Sequence, residues 1–200
     1  PIVYLPNGPR LSEMVSTPLN DGPFRVVYPG NVGLAQDIER LKLIAKLLDE
    51  KNIRMDIIGY GIKMPEFKQF IEEHSLNNVH LHEPTTRQKS LELIKKSNVA
   101  IAFLNDEDVF ATVLPGKIID YMSCKTPVIA GVKGVAAKVI LENNAGYTFE
   151  YDDTEAMVAK IEELKNNPAE QEKLSINCKK VIEEQFLWET NIVKLLKLIN

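Results

Sequence analysis

Apolar residues in this chain follow two rhythms: short, nearly continuous runs, and longer stretches in which they recur every three or four positions. The runs Phe24–Tyr28, Met55–Ile58, Val79–His82, Val99–Leu104, Pro127–Ala130 and Tyr147–Phe149 predict six strands, and their lack of polar alternation suits strands covered on both faces. The stretches Asp37–Glu50, Pro65–His74, Arg87–Ser97, Lys117–Ser123 and Val135–Asn143 predict helices; in the first, Ile38, Leu41, Ala45 and Leu48 form one stripe. From Thr154 onward only the helical rhythm remains, over Glu155–Lys165, Pro168–Gln185 and Trp188–Ile199, with Asn166-Asn167-Pro168 as a break and restart. Strands and helices alternating in this way predict an α/β protein with a doubly wound parallel sheet and an all-helical C-terminal segment.

Ahead of the first strand, residues 1–23 hold five prolines together with Asn7-Gly8 and Asp21-Gly22, the composition of an irregular lead-in, with Ile2–Leu5 as a short edge strand. The chain starts at Pro1 without an initiator methionine, which suggests either a piece of a longer protein or a processed one.

Composition narrows the function. The 200 residues are 44% hydrophobic, enough for a substantial core. A net charge of −4 argues against general nucleic-acid binding, which needs clustered Lys and Arg to neutralise phosphates. Cys124 and Cys178 lie far apart with no metal-type spacing, so reduced thiols in a cytoplasmic setting are expected rather than a disulfide framework or a zinc site. His80 and His82 alternate along a strand and share a face, but no third ligand lies nearby in sequence. No apolar run approaches the roughly 18–20 residues of a membrane-spanning helix.

Ligands of open α/β sheets bind outside the carboxyl ends of the strands, so the loops there carry the chemistry. After the first strand comes Pro29-Gly30-Asn31-Val32-Gly33, and after the second Gly59-Tyr60-Gly61. Ahead of the fifth strand, Pro115-Gly116-Lys117 opens a helix whose first-turn N–H groups and lysine suit a phosphate, with Asp120 one turn on to accept from ribose hydroxyls. Other phosphate and nucleophile motifs fail. A G-x-G-x-x-G fingerprint would need glycine at Met64, and neither a Walker A loop nor a G-x-S-x-G elbow is present.

These residues resemble the C-terminal, donor-binding domain of retaining GT-B glycosyltransferases of family 4, also called group 1, in the form found among capsule and O-antigen transferases. The likeness is carried by Leu5-Pro6-Asn7-Gly8, the run from Tyr28 to Gln36, Ile57 to Gly61, Leu114 to Met122 with Thr126 to Ala130, and Phe186 to Glu189. It implies an interdomain lead-in over residues 1–23, a nucleotide-sugar-binding Rossmann-like domain over 24–185 and a C-terminal crossover helix over 186–200, with the N-terminal acceptor domain absent from this chain.

The resemblance also implies residue roles. Asn31 and Gly33 would lie beside the donor diphosphate, with Gln36 where many relatives carry a basic residue and Gly59 and Gly61 forming the second glycine loop. Pro115, Gly116 and Lys117 would bind phosphate, Lys117 serving as the catalytic cation. Asp120 would bind ribose in place of the second glutamate of the family's E-x7-E motif, and the backbone at His82 and Glu83 would border the base. Thr112 stands where the first, sugar-contacting glutamate is expected. The implied partners are a nucleotide diphosphate sugar and the protein's own acceptor domain, with no nucleic acid, no metal and no cofactor. Cytoplasmic work at the inner face of the membrane is implied as well. Two alternatives stay open: a GT-B sugar-nucleotide epimerase, and a non-catalytic interaction domain with a degenerate pocket.

Overall fold

The computed structural model describes residues 5–14, 22–33 and 37–199. Six parallel strands form one sheet in the order β3-β2-β1-β4-β5-β6: β1 Arg25–Asn31, β2 Arg54–Tyr60, β3 Val79–His82, β4 Val99–Phe103, β5 Val128–Gly131 and β6 Gly146–Thr148. The helices between and after them are α1 Ile38–Glu50, α2 Met64–Glu73, α3 Arg87–Lys95, α4 Gly116–Ser123, α5 Gly134–Glu142, α6 Thr154–Lys165, α7 Pro168–Val181 and α8 Trp188–Ile199. This is the doubly wound α/β architecture that the alternating rhythm predicts.

Two apolar layers sandwich the sheet. Val26 and Tyr28 of β1, with Met55 and Ile57 of β2, pack under α1 and α6 residues such as Leu41, Ile44, Met157 and Ile161. On the opposite face Val27, Ile58, Ala100 and Val128 pack under α3, α4 and the end of α7, through Leu91, Ile94, Ile118, Met122 and Cys178. Burial of alternate residues in both layers explains why these strands show no polar alternation. Tyr28 and Phe103, on the neighbouring strands β1 and β4, stack with ring centroids 5.2 Å apart.

Several boundaries depart from expectation. β1 runs on through Pro29, Gly30 and Asn31, and β2 through Gly59 and Tyr60, because the parallel register continues Gly30 opposite Gly59 and Asn31 opposite Tyr60. The expected Pro168–Gln185 helix is α-helical to Val181 and then widens into a π turn over Ile182–Phe186. A 3-10 turn over Asp108–Thr112 lies between β4 and α4. Of the expected Ile2–Leu5 strand only Leu5 lies within the described residues, and it is in no strand.

Described parts of the lead-in are fastened to the C-terminal helices. Pro9 accepts from the Trp188 N–H at 3.0 Å, and the Leu11 N–H donates to Glu189 at 3.0 Å. Gly8 lies so close to the Phe186 carbonyl that a Cβ there would sit 1.7 Å from its oxygen.

Candidate functional site

From β1 the chain winds outward through β2 and β3, then returns to β4 on the other side and winds away through β5 and β6. Loops leaving β1 and β4 therefore diverge and leave a crevice at their carboxyl ends. One wall is the first glycine loop. The other is the start of α4, where Pro115 occupies the N-cap and provides no side-chain cap, and where the space a Gly116 side chain would fill holds no atom within 4 Å.

Lys117, in the first turn of α4, reaches back across this crevice. Its Nζ lies 4.7 Å from the centroid of the Tyr28 ring, and a Cβ on Gly30 would be 3.0 Å from it. The side chain is half-buried, and desolvation pulls the ammonium pKa down to about 8. A charge held at that cost is stabilised by an anion entering the crevice, since an opposite charge nearby favours the protonated form.

The second glycine loop closes on the first. Val32 N–H donates to the Tyr60 carbonyl at 2.6 Å, and Lys63 N–H to the Val32 carbonyl at 3.1 Å. Gly61, at φ +126, lies against Asn31: a Cβ there would sit 2.2 Å from Oδ1 and 2.6 Å from the Val32 carbonyl oxygen. Asn31, Gly33 and Gly61 thus form one cluster, as the sequence predicts. Gly59 has a different reason to be small, because a side chain there would meet the Met64 sulfur at 2.8 Å.

Asp120 has a partner that the sequence did not reveal. Arg87, the first residue of α3, donates Nη1 and Nη2 to its two carboxylate oxygens, both at 2.8 Å, and Nε to Glu13 of the lead-in at 3.2 Å. These hydrogen bonds, that to Asp120 foremost, hold the Arg87 pKa above its ordinary value. The three charged residues, with Gly116 and Trp188, line a cleft of about 470 Å³ between the starts of α3, α4 and α8. Each carboxylate oxygen of Asp120 retains a second lone pair, so the ion pair does not exhaust its capacity to accept from a ribose.

Other expected site residues fall around this centre. His82 ends β3, with Nε2 2.6 Å from Asp56, and the adjacent Glu83 is exposed. Thr112 is exposed in the 3-10 turn, its hydroxyl donating to the Val109 carbonyl at 2.9 Å. Gln36 lies outside the described residues. Among the described residues no group of three or more His, Cys, Asp or Glu could hold a metal ion, and no helix is long and apolar enough to cross a membrane.

Sequence reasoning also missed Arg40. It is only 4% exposed, donates Nη2 to the Glu150 carbonyl at 3.0 Å, and lies 5.8 Å from the Phe103 ring and 5.5 Å from the Tyr151 ring. Burial lowers its pKa against the pull of Asp37 and other neighbouring groups. Gly131 makes room for it, since a Cβ there would be 2.3 Å from Nη1. With Tyr151 donating to Asp37, this guanidinium ties the start of α1 to the loop after β6.

Fold and site together define a doubly wound α/β domain with a switch-point crevice between the first glycine loop and the start of α4, into which Lys117 reaches. The chain belongs to the glycosyl transferases group 1 family, whose family model matches residues 10–181. It is 26% identical over 191 residues to the capsular polysaccharide biosynthesis glycosyltransferase CapM of Staphylococcus aureus, a match covering 90% of this chain and 47% of CapM. The chain thus spans about half the length of that curated relative. The pneumococcal O-GlcNAc transferase GtfA, solved in complex with UDP and GlcNAc, superposes with a TM-score of 0.78 at 17% identity, over 98% of this chain and 39% of GtfA. The C-terminal domain of LpcC, a group 1 family protein of Francisella tularensis, superposes with a TM-score of 0.65 at 14% identity, over 92% of this chain and 96% of that domain.

Proposed function

We propose that this chain is the donor-binding half of a retaining glycosyltransferase that moves a sugar from a nucleotide diphosphate sugar to a glycan or lipid-linked acceptor. The observation that carries the reading is Lys117: a half-buried ammonium at the head of α4, held across the β1/β4 crevice from the Gly30 loop. As the glycosidic bond breaks, negative charge grows on the departing diphosphate. A pre-positioned ammonium and helix-start N–H groups at Gly116 and Lys117 stabilise that charge with little reorganisation. Asn31 and Gly33 border the diphosphate from the β1 side, Asp120 receives the ribose, and the backbone at His82 and Glu83 borders the base.

Residues 24–185 act in this reading as the nucleotide-sugar domain, residues 1–23 as the interdomain lead-in and residues 186–200 as the crossover helix. Acceptor binding and much of the reactive geometry come from a second domain, at the inner face of the cytoplasmic membrane. The chain by itself therefore binds donor and turns over little. A thermal-shift screen against UDP, GDP and their sugars tests this: stabilisation by a nucleotide diphosphate supports it, and none with any of them contradicts it. Thr112, exposed where a sugar-contacting glutamate is expected, favours as a second reading a non-catalytic interaction domain with a degenerate pocket.

A further inference from the structure

One polar cluster, running from Arg54 at the start of β2 to His82 at the end of β3, is not accounted for by the roles above. The parallel register sets Asp56 of β2 beside His80 of β3 and Ile58 beside His82, so Asp56 and His82 share one face. Because Ile58 packs with Leu91 and Ile119, this is the α3/α4 face, the side on which Arg87 and Asp120 also lie. The Asp56 carboxylate is 3% exposed and engaged at both oxygens: Arg54 donates Nε to Oδ2 at 2.9 Å and Nη2 to Oδ1 at 2.7 Å, and His82 Nε2 also meets Oδ1, at 2.6 Å. Burial penalises the Asp56 charge, but the hydrogen bonds from Arg54 and His82 more than offset this and keep its pKa below the ordinary carboxylate value.

An ionised carboxylate can only accept, so the proton between the two residues is on His82 Nε2. In the neutral imidazole Nδ1 is then a bare acceptor. The side chain is 30% exposed at the last position of β3, and Nε2 is the ring nitrogen that Asp56 engages. Arg54 holds both carboxylate oxygens in a two-point contact, sharing Oδ1 with His82, which fixes the direction in which Asp56 presents itself to the ring.

We propose that His82, oriented by Asp56 and Arg54, reads the nucleobase of the bound nucleotide through Nδ1 and selects bases carrying a ring N–H. Uracil and guanine donate from a ring nitrogen and pair with the acceptor. Adenine and cytosine present a lone pair at the matching ring position, and two facing acceptors are repelled and left unsatisfied. His82 is then a specificity residue, and Asp56 and Arg54 are positioning residues that act through it. The proposal rests on the donor-binding reading, because it needs a nucleotide lying across the strand ends from Lys117 toward β3.

Titration calorimetry with UDP, GDP, ADP and CDP, and with inorganic pyrophosphate as a base-free probe, tests it. Wild type should bind UDP or GDP about tenfold or more tightly than ADP or CDP, the scale of one hydrogen bond gained against one acceptor left unpaired. His82→Ala should compress the ranking to within about threefold and leave pyrophosphate affinity unchanged. Nitrogen-15 NMR of the imidazole should show the Nε2–H tautomer in wild type and a mixture in Asp56→Asn; should that variant misfold, the wild-type tautomer and the His82→Ala ranking decide. An unchanged ranking in His82→Ala, a wild-type preference for ADP or CDP, or an Nδ1–H tautomer overturns the role of His82 while donor binding stands. If wild type binds none of the four nucleotides, the donor-binding reading itself fails.

Discussion

Arg87 holds both carboxylate oxygens of Asp120 at 2.8 Å, joining the first turn of α3 to α4 at the edge of the cleft where a ribose would lie. Arg87 is about half exposed, so the pair contributes little to stability, on the order of 0–1 kcal/mol. Arg87→Ala should therefore leave thermal unfolding nearly unchanged. Asp120→Ala should weaken UDP or GDP binding about tenfold without altering pyrophosphate affinity, because the lost hydrogen bonds are to ribose. Calorimetry with the two ligands separates these effects.

Lys117 carries its charge at a cost in stability. Its folded pKa of about 8 lies below the ordinary 10.5 because burial disfavours the charge. Between these two values the unfolded chain binds more protons than the folded one, so stability should rise with pH from about 8 to 10.5, by roughly 3 kcal/mol. Below about pH 8 both states are protonated and the penalty is constant. Lys117→Met should raise the melting temperature at pH 7 and flatten the alkaline rise, as followed by denaturant titration across that range.

An anion beside Lys117 should raise its pKa and draw a proton from solution. At pH 8 the binding enthalpy of UDP should then change with the ionisation enthalpy of the buffer, corresponding to uptake of a fraction of one proton. Lys117→Met should abolish that dependence.

Two glycines at the crevice should respond oppositely to alanine. At Gly61 the backbone is at φ +126 and a Cβ would meet the Asn31 side chain and the Val32 carbonyl, so Gly61→Ala should destabilise by about 2 kcal/mol or more. At Gly116 nothing lies within 4 Å, so Gly116→Ala should fold normally yet weaken pyrophosphate binding, because the methyl group occupies the phosphate's approach to the helix start. Melting curves and calorimetry on both variants check the contrast.

Both thiols should be silent in the native chain. Cys124 and Cys178 are buried, and burial pushes the Cys124 pKa up to about 12 and Cys178 higher still. Ellman's reagent at pH 8 should label neither until the protein is unfolded, when two thiols should react.

The reach of the sequence can be judged residue by residue. Alternating rhythms revealed the six strands and the doubly wound class because apolar periodicity is local. Pro29 and Gly30 read as turn residues, and only the ladder to Ile58 and Gly59 makes them strand. The meeting of Asn31 with Gly33 and Gly61, and of Lys117 with Gly30, was legible because glycine loops and a Pro-Gly-Lys helix start fall at the carboxyl strand ends of a doubly wound sheet. Arg87, Arg40 and Asp56 were not. The partners of Arg87, 33 residues away at Asp120, and of Arg40, 110 away at Glu150, meet only through tertiary packing. That His80 and His82 share a face followed from strand alternation, whereas Asp56 joined them only once the β2/β3 register was known.

The central claim is that Lys117 and the start of α4 bind the donor's diphosphate, and titration calorimetry of UDP and GDP against wild type, Lys117→Ala and Glu39→Ala tests it most directly. Glu39 is an exposed residue in the first turn of α1, paired with Lys42 and away from α4, so it controls for the loss of a surface charge. The account predicts that Lys117→Ala weakens nucleotide diphosphate binding about tenfold or more while Glu39→Ala binds as wild type does. Equal and negligible effects in the two variants would contradict it.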